Sequence, residues 1–181
     1  MIRLITLGAA TLLAATATAS AQENTPAQQL PTTTAPSAAT TLNPAGFAKE
    51  AAASNEFEIL SSEVALKRSQ TPEVREFAQT MIDDHRRAQD ELQAAAKADS
   101  VNVSLELSME QKQTLQALEQ AEESQFDSAY LSAQLKAHDQ AIALLGSYAD
   151  KGEGGALKTL ATAHYPTVRT HKVRAESLTN P

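Results

Sequence analysis

From Phe47 onward, apolar residues recur every three or four positions, which is the spacing of amphipathic α-helices. The segment is rich in Ala, Leu, Gln, Glu and Lys, which favour helices, and it lacks the alternating β-branched runs of strands. All seven aromatic residues lie in this part of the chain, so we expect the core to begin here. The pattern predicts an all-α domain over residues 45–179.

Local signals divide this domain into four predicted helices, A to D. Thr71-Pro72 is typical of a helix start, and Ser108 with Gln111 has the form of a capping box. Residues 151–155 contain three glycines and break the chain. The predicted ranges are 44–68, 72–99, 108–150 with a bend near Ser124, and 156–178.

Four helices joined mostly by short loops predict an antiparallel up-and-down four-helix bundle. Pro166 lies inside helix D, where its missing N–H should kink the helix or divide it in two.

The first 44 residues have a different character. Residues 1–21 combine a positive start, an apolar run and a small-residue cleavage pattern, so we expect a signal peptide cleaved after Ala21 and a periplasmic or secreted protein. An uncleaved anchor is the alternative, but the run is short and diluted by threonine. Residues 22–44 carry four prolines among Thr, Ala, Gln and Ser, which predicts a disordered tether.

Composition excludes several classes of function. The net charge of −7 argues against a nucleic-acid-binding protein, which needs a basic face. The absence of Cys excludes disulfides, thiolate nucleophiles and cysteine-bound metals. After the predicted signal peptide, no apolar run is long enough for a transmembrane segment. We find no glycine-rich phosphate loop and no nucleophile elbow, so neither a nucleotide enzyme nor a hydrolase is indicated.

All four histidines fall on the apolar stripes of helices B, C and D, where an inward-facing residue is expected. From the end that holds the A–B and C–D turns, the helical rise places His85 and His138 at about 20 Å and His171 at about 25 Å. Helix A reaches this level near Glu58, at roughly 18 Å. Glu58, His85, His138 and His171 could therefore form one layer, with His164 about two turns away.

Imidazoles and a carboxylate on facing helices predict a site for one transition-metal ion, such as Cu, Zn, Fe or Mn. The alternative is a structural polar layer, in which each His bonds a carbonyl or a carboxylate and fixes the helix register. Asp84 next to His85 could orient an imidazole or simply lie on a solvated face.

A di-iron carboxylate site is a third alternative, and the sequence argues against it. Such sites need Glu-x-x-His on two helices. The residues three positions before the four histidines are Ile82, Leu135, Ala161 and Val168.

Several short motifs, taken in order, resemble the family called domain of unknown function 4142. The resemblance covers about Phe47 to Leu178. The matching elements are Phe47-Ala48 and Glu58, the run from Phe77 to Asp84-His85, Phe126-Asp127-x-x-Tyr130, Ala137-His138, and Pro166 with His171. This family implies a ferritin-like helical bundle, exported and common in bacterial envelopes. Its pattern singles out Glu58, His85, Asp127, His138 and His171, whereas His164 departs from it.

Two hypotheses follow. The first is a non-enzymatic bundle of the bacterial envelope with a role in stress tolerance or in contacts with an envelope protein partner. The second is a mononuclear metal-binding or redox protein that uses the His/Glu layer.

Overall fold

The computed structural model describes residues 43–179, and the regular secondary structure in this range is helical throughout. Because no strand forms within these residues, the predicted all-α class is confirmed. The five helices are α1 (Pro44–Arg68), α2 (Pro72–Ala98), α3 (Met109–Gln120), α4 (Glu123–Lys151) and α5 (Ala156–Thr179).

Two predictions about the first part of the chain lie outside the described residues. These are the signal peptide at 1–21 and all but the last two residues of the tether at 22–44. Across 43–179, none of the helices has both the length and the apolar character needed to cross a membrane.

Side chains cap the starts of α1 and α3. The Asn43 side chain accepts a hydrogen bond from Gly46 N at 2.7 Å, ahead of α1. The predicted capping box of α3 is confirmed, because Ser108 and Gln111 each bond the backbone N–H of the other. Thr71 stands at the cap position of α2, but its hydroxyl makes no capping bond.

The single helix predicted over 108–150 is wrong, because the chain forms two helices there. Ala121 and Glu122 are extended and separate α3 from α4. The Arg68 guanidinium donates to the carbonyls of Leu118, at 2.9 Å, and of Ala121. These bonds satisfy carbonyls that a continuing helix would otherwise pair, so α3 can end here.

The four long helices (α1, α2, α4 and α5) pack around a shared core. α1 contacts α2 and α4, and α5 contacts the same two helices, while α3 packs on α1 and α4. The buried apolar residues form two clusters. One contains Phe47, Leu92, Tyr148 and Leu157, and the other contains Ala65, Met81, Leu131 and Ala175.

The contacts at the helix ends show that the predicted up-and-down order is wrong. The prediction placed the A–B and C–D turns at the same end. In the structure Thr71, between α1 and α2, donates to Asp127 Oδ2 at 2.5 Å, near the start of α4. Asp99, which follows α2, instead accepts from Ala156 N and Leu157 N at the start of α5. The two turns lie at opposite ends, and the segment that contains α3 crosses the length of the molecule between α2 and α4.

The start of α5 depends on Asp99 and on a glycine. The two backbone N–H groups that bond Asp99 also lower the pKa of its carboxyl, the bond from Leu157 contributing most. A Cβ on Gly155 would lie 2.6 Å from Asp99 Oδ2, and the φ of this residue is +153°. The predicted division at Pro166 does not occur, since α5 is one helix that contains this proline; a kink there stays a prediction.

Candidate metal centre

A buried polar layer lies between the two apolar clusters. Each long helix contributes residues to both apolar clusters, and one residue of the polar layer lies between these two sets along the helix. The members are Glu58 on α1, His85 on α2, His138 on α4 and His171 on α5, and their exposed fractions are 1%, 4%, 1% and 7%.

The three imidazole rings converge on one point. Their ring centroids are 5.6–5.9 Å apart, and one ring nitrogen from each of His85, His138 and His171 lies within 4.8 Å of the other two. Nitrogens bound to one tetrahedral metal ion at about 2.0–2.1 Å are roughly 3.4 Å apart. The nitrogens therefore need to approach one another by at most about 1.4 Å to share an ion.

Hydrogen bonds to acceptors fix the tautomers of two of the rings. His138 Nδ1 lies 2.9 Å from the Gln134 carbonyl, which can only accept, so this nitrogen carries the proton. His171 Nε2 lies 3.0 Å from Asp84 Oδ2 and donates to that carboxylate. In each neutral ring the other nitrogen then carries a lone pair.

His85 is oriented through a relay of two amides. Its Nδ1 lies 3.0 Å from Asn55 Oδ1, while Asn55 Nδ2 donates to Gln89 Oε1 at 3.2 Å. With the Asn55 amide in this orientation, its oxygen faces the ring and accepts the proton of His85 Nδ1.

The second ring nitrogen of each of these three histidines has no hydrogen-bond partner among the described residues. His85 Nε2, His138 Nε2 and His171 Nδ1 are buried and make no hydrogen bond to any residue in 43–179. An imidazole that donates through one nitrogen and leaves the other free is the arrangement of a metal-bound histidine and its supporting residue.

The surroundings hold two of these rings neutral. Burial lowers the pKa of His85 well below its usual value, and nearby His138 and His171 add to the effect. Burial also lowers the pKa of His171, as does His138, while Asp84 acts in the opposite direction. Neutral rings are the form that binds a metal ion.

We call His85, His138 and His171 the histidine trio. Glu58 lies beside this trio and is not part of it. Its Oε1 is 3.4 Å from His138 Nδ1, the nitrogen that faces away from the free lone pair, and its Oε2 has no partner among the described residues. Burial raises the pKa of Glu58, while His138 and the Gln134 amide partly offset this. Its assignment as a metal ligand stays a prediction.

The other residues of the family pattern have different positions. Asp84 orients His171 on α5, not the adjacent His85. Asp127 binds the Thr71 hydroxyl, and the buried Tyr130 hydroxyl lies 2.8 Å from Ser62 Oγ, so neither residue joins the centre.

Sequence reasoning missed the amides and the carbonyl that orient the rings. Asn55 lies three residues before Glu58, Gln134 four before His138, and Gln89 four after His85. The available signal was a polar side chain one helical turn from a predicted ligand on the same inward face.

Comparison with known proteins adds a family and a fold. The family model of the Domain of unknown function (DUF4142) matches residues 29–178, which confirms the resemblance drawn from the motifs. None of the curated proteins matches the sequence. Among solved structures, CopM in the Cu(II)-bound form is similar, with a TM-score of 0.64 and 16% sequence identity over 76% of this chain and 95% of that one. At this identity the likeness shows a shared fold.

Proposed function

The chain belongs to the Domain of unknown function (DUF4142) family, and we propose that it binds one copper ion through His85, His138 and His171. The observation that carries the proposal is the set of three buried ring nitrogens without partners in residues 43–179, one on each imidazole. A structural layer, in which each His bonds a carbonyl or a carboxylate, accounts for one nitrogen of each ring and gives the other no role. Here each ring bonds through one nitrogen and leaves the other buried without a partner in residues 43–179.

The choice of copper follows from the donors. Imidazole nitrogens suit Cu, Zn, Fe and Ni, whereas Mn favours carboxylates, which the trio lacks. Among divalent ions, Cu(II) binds such nitrogen sites most tightly. The structural similarity to CopM in the Cu(II)-bound form supports the same choice.

Two carboxylates stand where they can offset the charge of the ion. Asp84 bonds His171 at 3.0 Å, and Glu58 lies 3.4 Å from His138, each on the side of the ring away from the free nitrogen. Carboxylates in this position make a metal-bound imidazole more basic and fix its orientation.

We place this activity in the bacterial envelope, in a ferritin-like bundle with one crossover connection, exported through the predicted signal peptide at 1–21. The role is binding rather than catalysis, since the three free nitrogens are covered from solvent. Holding copper in a buried site would serve tolerance of metal stress. A contact with an envelope protein partner remains a separate prediction.

Metal analysis of the full chain, produced with its leader and purified without an affinity tag, tests the proposal. We expect near-stoichiometric copper after exposure to Cu(II), with nitrogen hyperfine structure from imidazole in the electron paramagnetic resonance spectrum. The variant His85→Gln/His138→Gln should lose the metal. The matched control is Glu63→Gln, which removes only an exposed ion pair with Arg86.

Circular dichroism establishes that each variant is folded before its metal is measured. If the double variant does not fold, the spectrum of the wild type still decides the matter, because a spectrum without imidazole nitrogens contradicts the proposal. A wild-type protein that retains no ion after titration with copper, zinc and iron would also contradict it, and the histidine layer would then be structural.

A further inference from the structure

Two acid–histidine pairs connect α2 and α5 at matching positions. Asp84 and Glu91 are seven residues apart on α2, and His164 and His171 are seven apart on α5. Asp84 bonds His171 at 3.0 Å, and Glu91 bonds His164 at 2.7 Å. Seven residues are two helical turns, or about 10.5 Å, so the second pair repeats the first at a different level of the molecule.

The two pairs differ in their exposure. His171 is buried and belongs to the metal centre, whereas the side chains of His164 and Glu91 are 21% and 50% exposed. We call His164 and Glu91 the outer pair. It offers the same two types of donor as Asp84 and His171, an imidazole and a carboxylate, to ions in the surrounding solution.

One cleft connects the outer pair with the centre. It has a volume of about 290 Å³, and both pairs line it, together with His85. Its remaining wall is largely apolar and includes Leu92, Leu145, Leu160 and Val168. The basic residue on the cleft, Arg87, is 66% exposed and paired with Asp84 at 3.1 Å. The free nitrogens of His85 and His171 are themselves covered, so an ion needs a small ring movement for its last step.

We infer that His164 and Glu91 form an uptake site that captures a divalent metal cation and passes it along the cleft to the histidine trio. This inference rests on the proposed function. Two donors hold an ion more weakly than three convergent imidazoles, so transfer to the trio is favourable and the outer pair is left free to bind again. His164 therefore affects the rate at which the trio is filled. It does not affect the ion that the trio holds at equilibrium.

Stopped-flow mixing of the metal-free full chain with Cu(II), followed by the visible absorption of the copper centre, tests the inference. The variants are His164→Ala and Glu91→Gln. The control is Asp90→Asn, which removes one negative charge from an exposed neighbouring position that does not line the cleft. We expect the association rate constant to fall about tenfold in both variants, because Glu91→Gln removes a negative charge that concentrates cations at the cleft and His164→Ala removes the imidazole donor of the uptake site. The control should retain the wild-type rate, and all proteins should reach the same stoichiometry and final spectrum.

The possible results separate the two ideas. Wild-type protein without a copper centre overturns the proposed function, and the uptake site with it. A normal wild-type centre with rates in His164→Ala and Glu91→Gln that equal the control overturns the uptake site alone. A lower stoichiometry or an altered final spectrum in His164→Ala also overturns it, because His164 would then be a ligand at equilibrium.

Discussion

Acidification should destabilise the metal-free wild type more than the variant His85→Gln. The folded protein holds His85 neutral, because burial lowers its pKa well below the usual value of 6.5. The unfolded chain binds a proton at this residue as the pH falls below 6.5, and the folded chain does not. The stability that His85 contributes is therefore complete above pH 6.5 and is lost as the pH falls toward its folded pKa.

The magnitude follows from proton linkage. Between about pH 7.5 and pH 5.5 the unfolded His85 gains nearly one proton, which costs the folded state roughly 1 kcal/mol. Glutamine at this position does not titrate, so the variant escapes the loss. His171 acts in the same direction in both proteins, since its pKa is also lowered by burial.

Glu58 titrates in the opposite direction and is common to both proteins. Its pKa is raised by burial, so its contribution is present below pH 4.5 and is lost as the pH rises through its folded pKa. Because Glu58 is present in both proteins, its contribution to the free energy of unfolding cancels when wild type and His85→Gln are compared. Asp99, whose pKa is lowered from 3.8, loses its contribution only in more acidic solution.

Urea unfolding in the presence of a chelator, followed by circular dichroism at about pH 7.5, 6.5 and 5.5, measures the effect. A difference of roughly 1 kcal/mol corresponds to a relative shift in midpoint of about 0.3–1 M urea. If the two proteins lose stability in parallel, the folded His85 ring takes up its proton like an exposed one, and the description of a closed, neutral centre is refuted.

Three further predictions concern groups around the centre and the crossover. Asp84→Asn should weaken copper binding by about 10–100-fold, because Asp84 orients His171; titration against a competing chelator measures this, and an unchanged affinity contradicts it. Tyr130→Phe should lower the free energy of unfolding by about 1–2 kcal/mol, since the buried Ser62 hydroxyl loses its partner at 2.8 Å. The double variant with Ser62→Ala should recover most of that loss in urea unfolding, whereas additive losses count against the bond. Arg68→Gln should speed amide exchange in α3 by about tenfold, because the carbonyls at its end lose a charged donor; an unchanged exchange pattern by mass spectrometry would show that other contacts hold α3.

Local signals in the sequence were sufficient for most helix ends. The capping box at Ser108 and the glycine-rich break at 151–155 act within a few residues, and both are found where they were predicted. The division between α3 and α4 was predicted only as a bend near Ser124, because no glycine or proline marks it. It depends on Arg68, which is some fifty residues away in the sequence and reaches the end of α3 only in the folded chain.

The composition of the polar layer was predicted despite the wrong order of the helices. His85 is the fourteenth of the 27 residues of α2, and His138 is the sixteenth of the 29 residues of α4. A residue at mid-length stays at the same level when its helix is reversed, so the error in direction had little effect. The orientation of the rings could not be predicted, since it depends on Asn55, Asp84 and the Gln134 carbonyl at atomic distances.

The position of the histidines also argues for a function beyond folding. A buried acceptor without a partner costs about 1–3 kcal/mol, and three such nitrogens approach the whole net stability of a typical domain, about 5–15 kcal/mol. Apolar side chains fill the levels on both sides of the layer, with Leu92 following His85 on α2 and Met81 preceding it, so the core could continue without interruption. Fixing the helix register needs one paired polar group, not three free lone pairs. A bound ion accounts for all three at once, because it turns each unpartnered acceptor into a ligand, and the residues that orient the rings then have a purpose that folding alone does not give them.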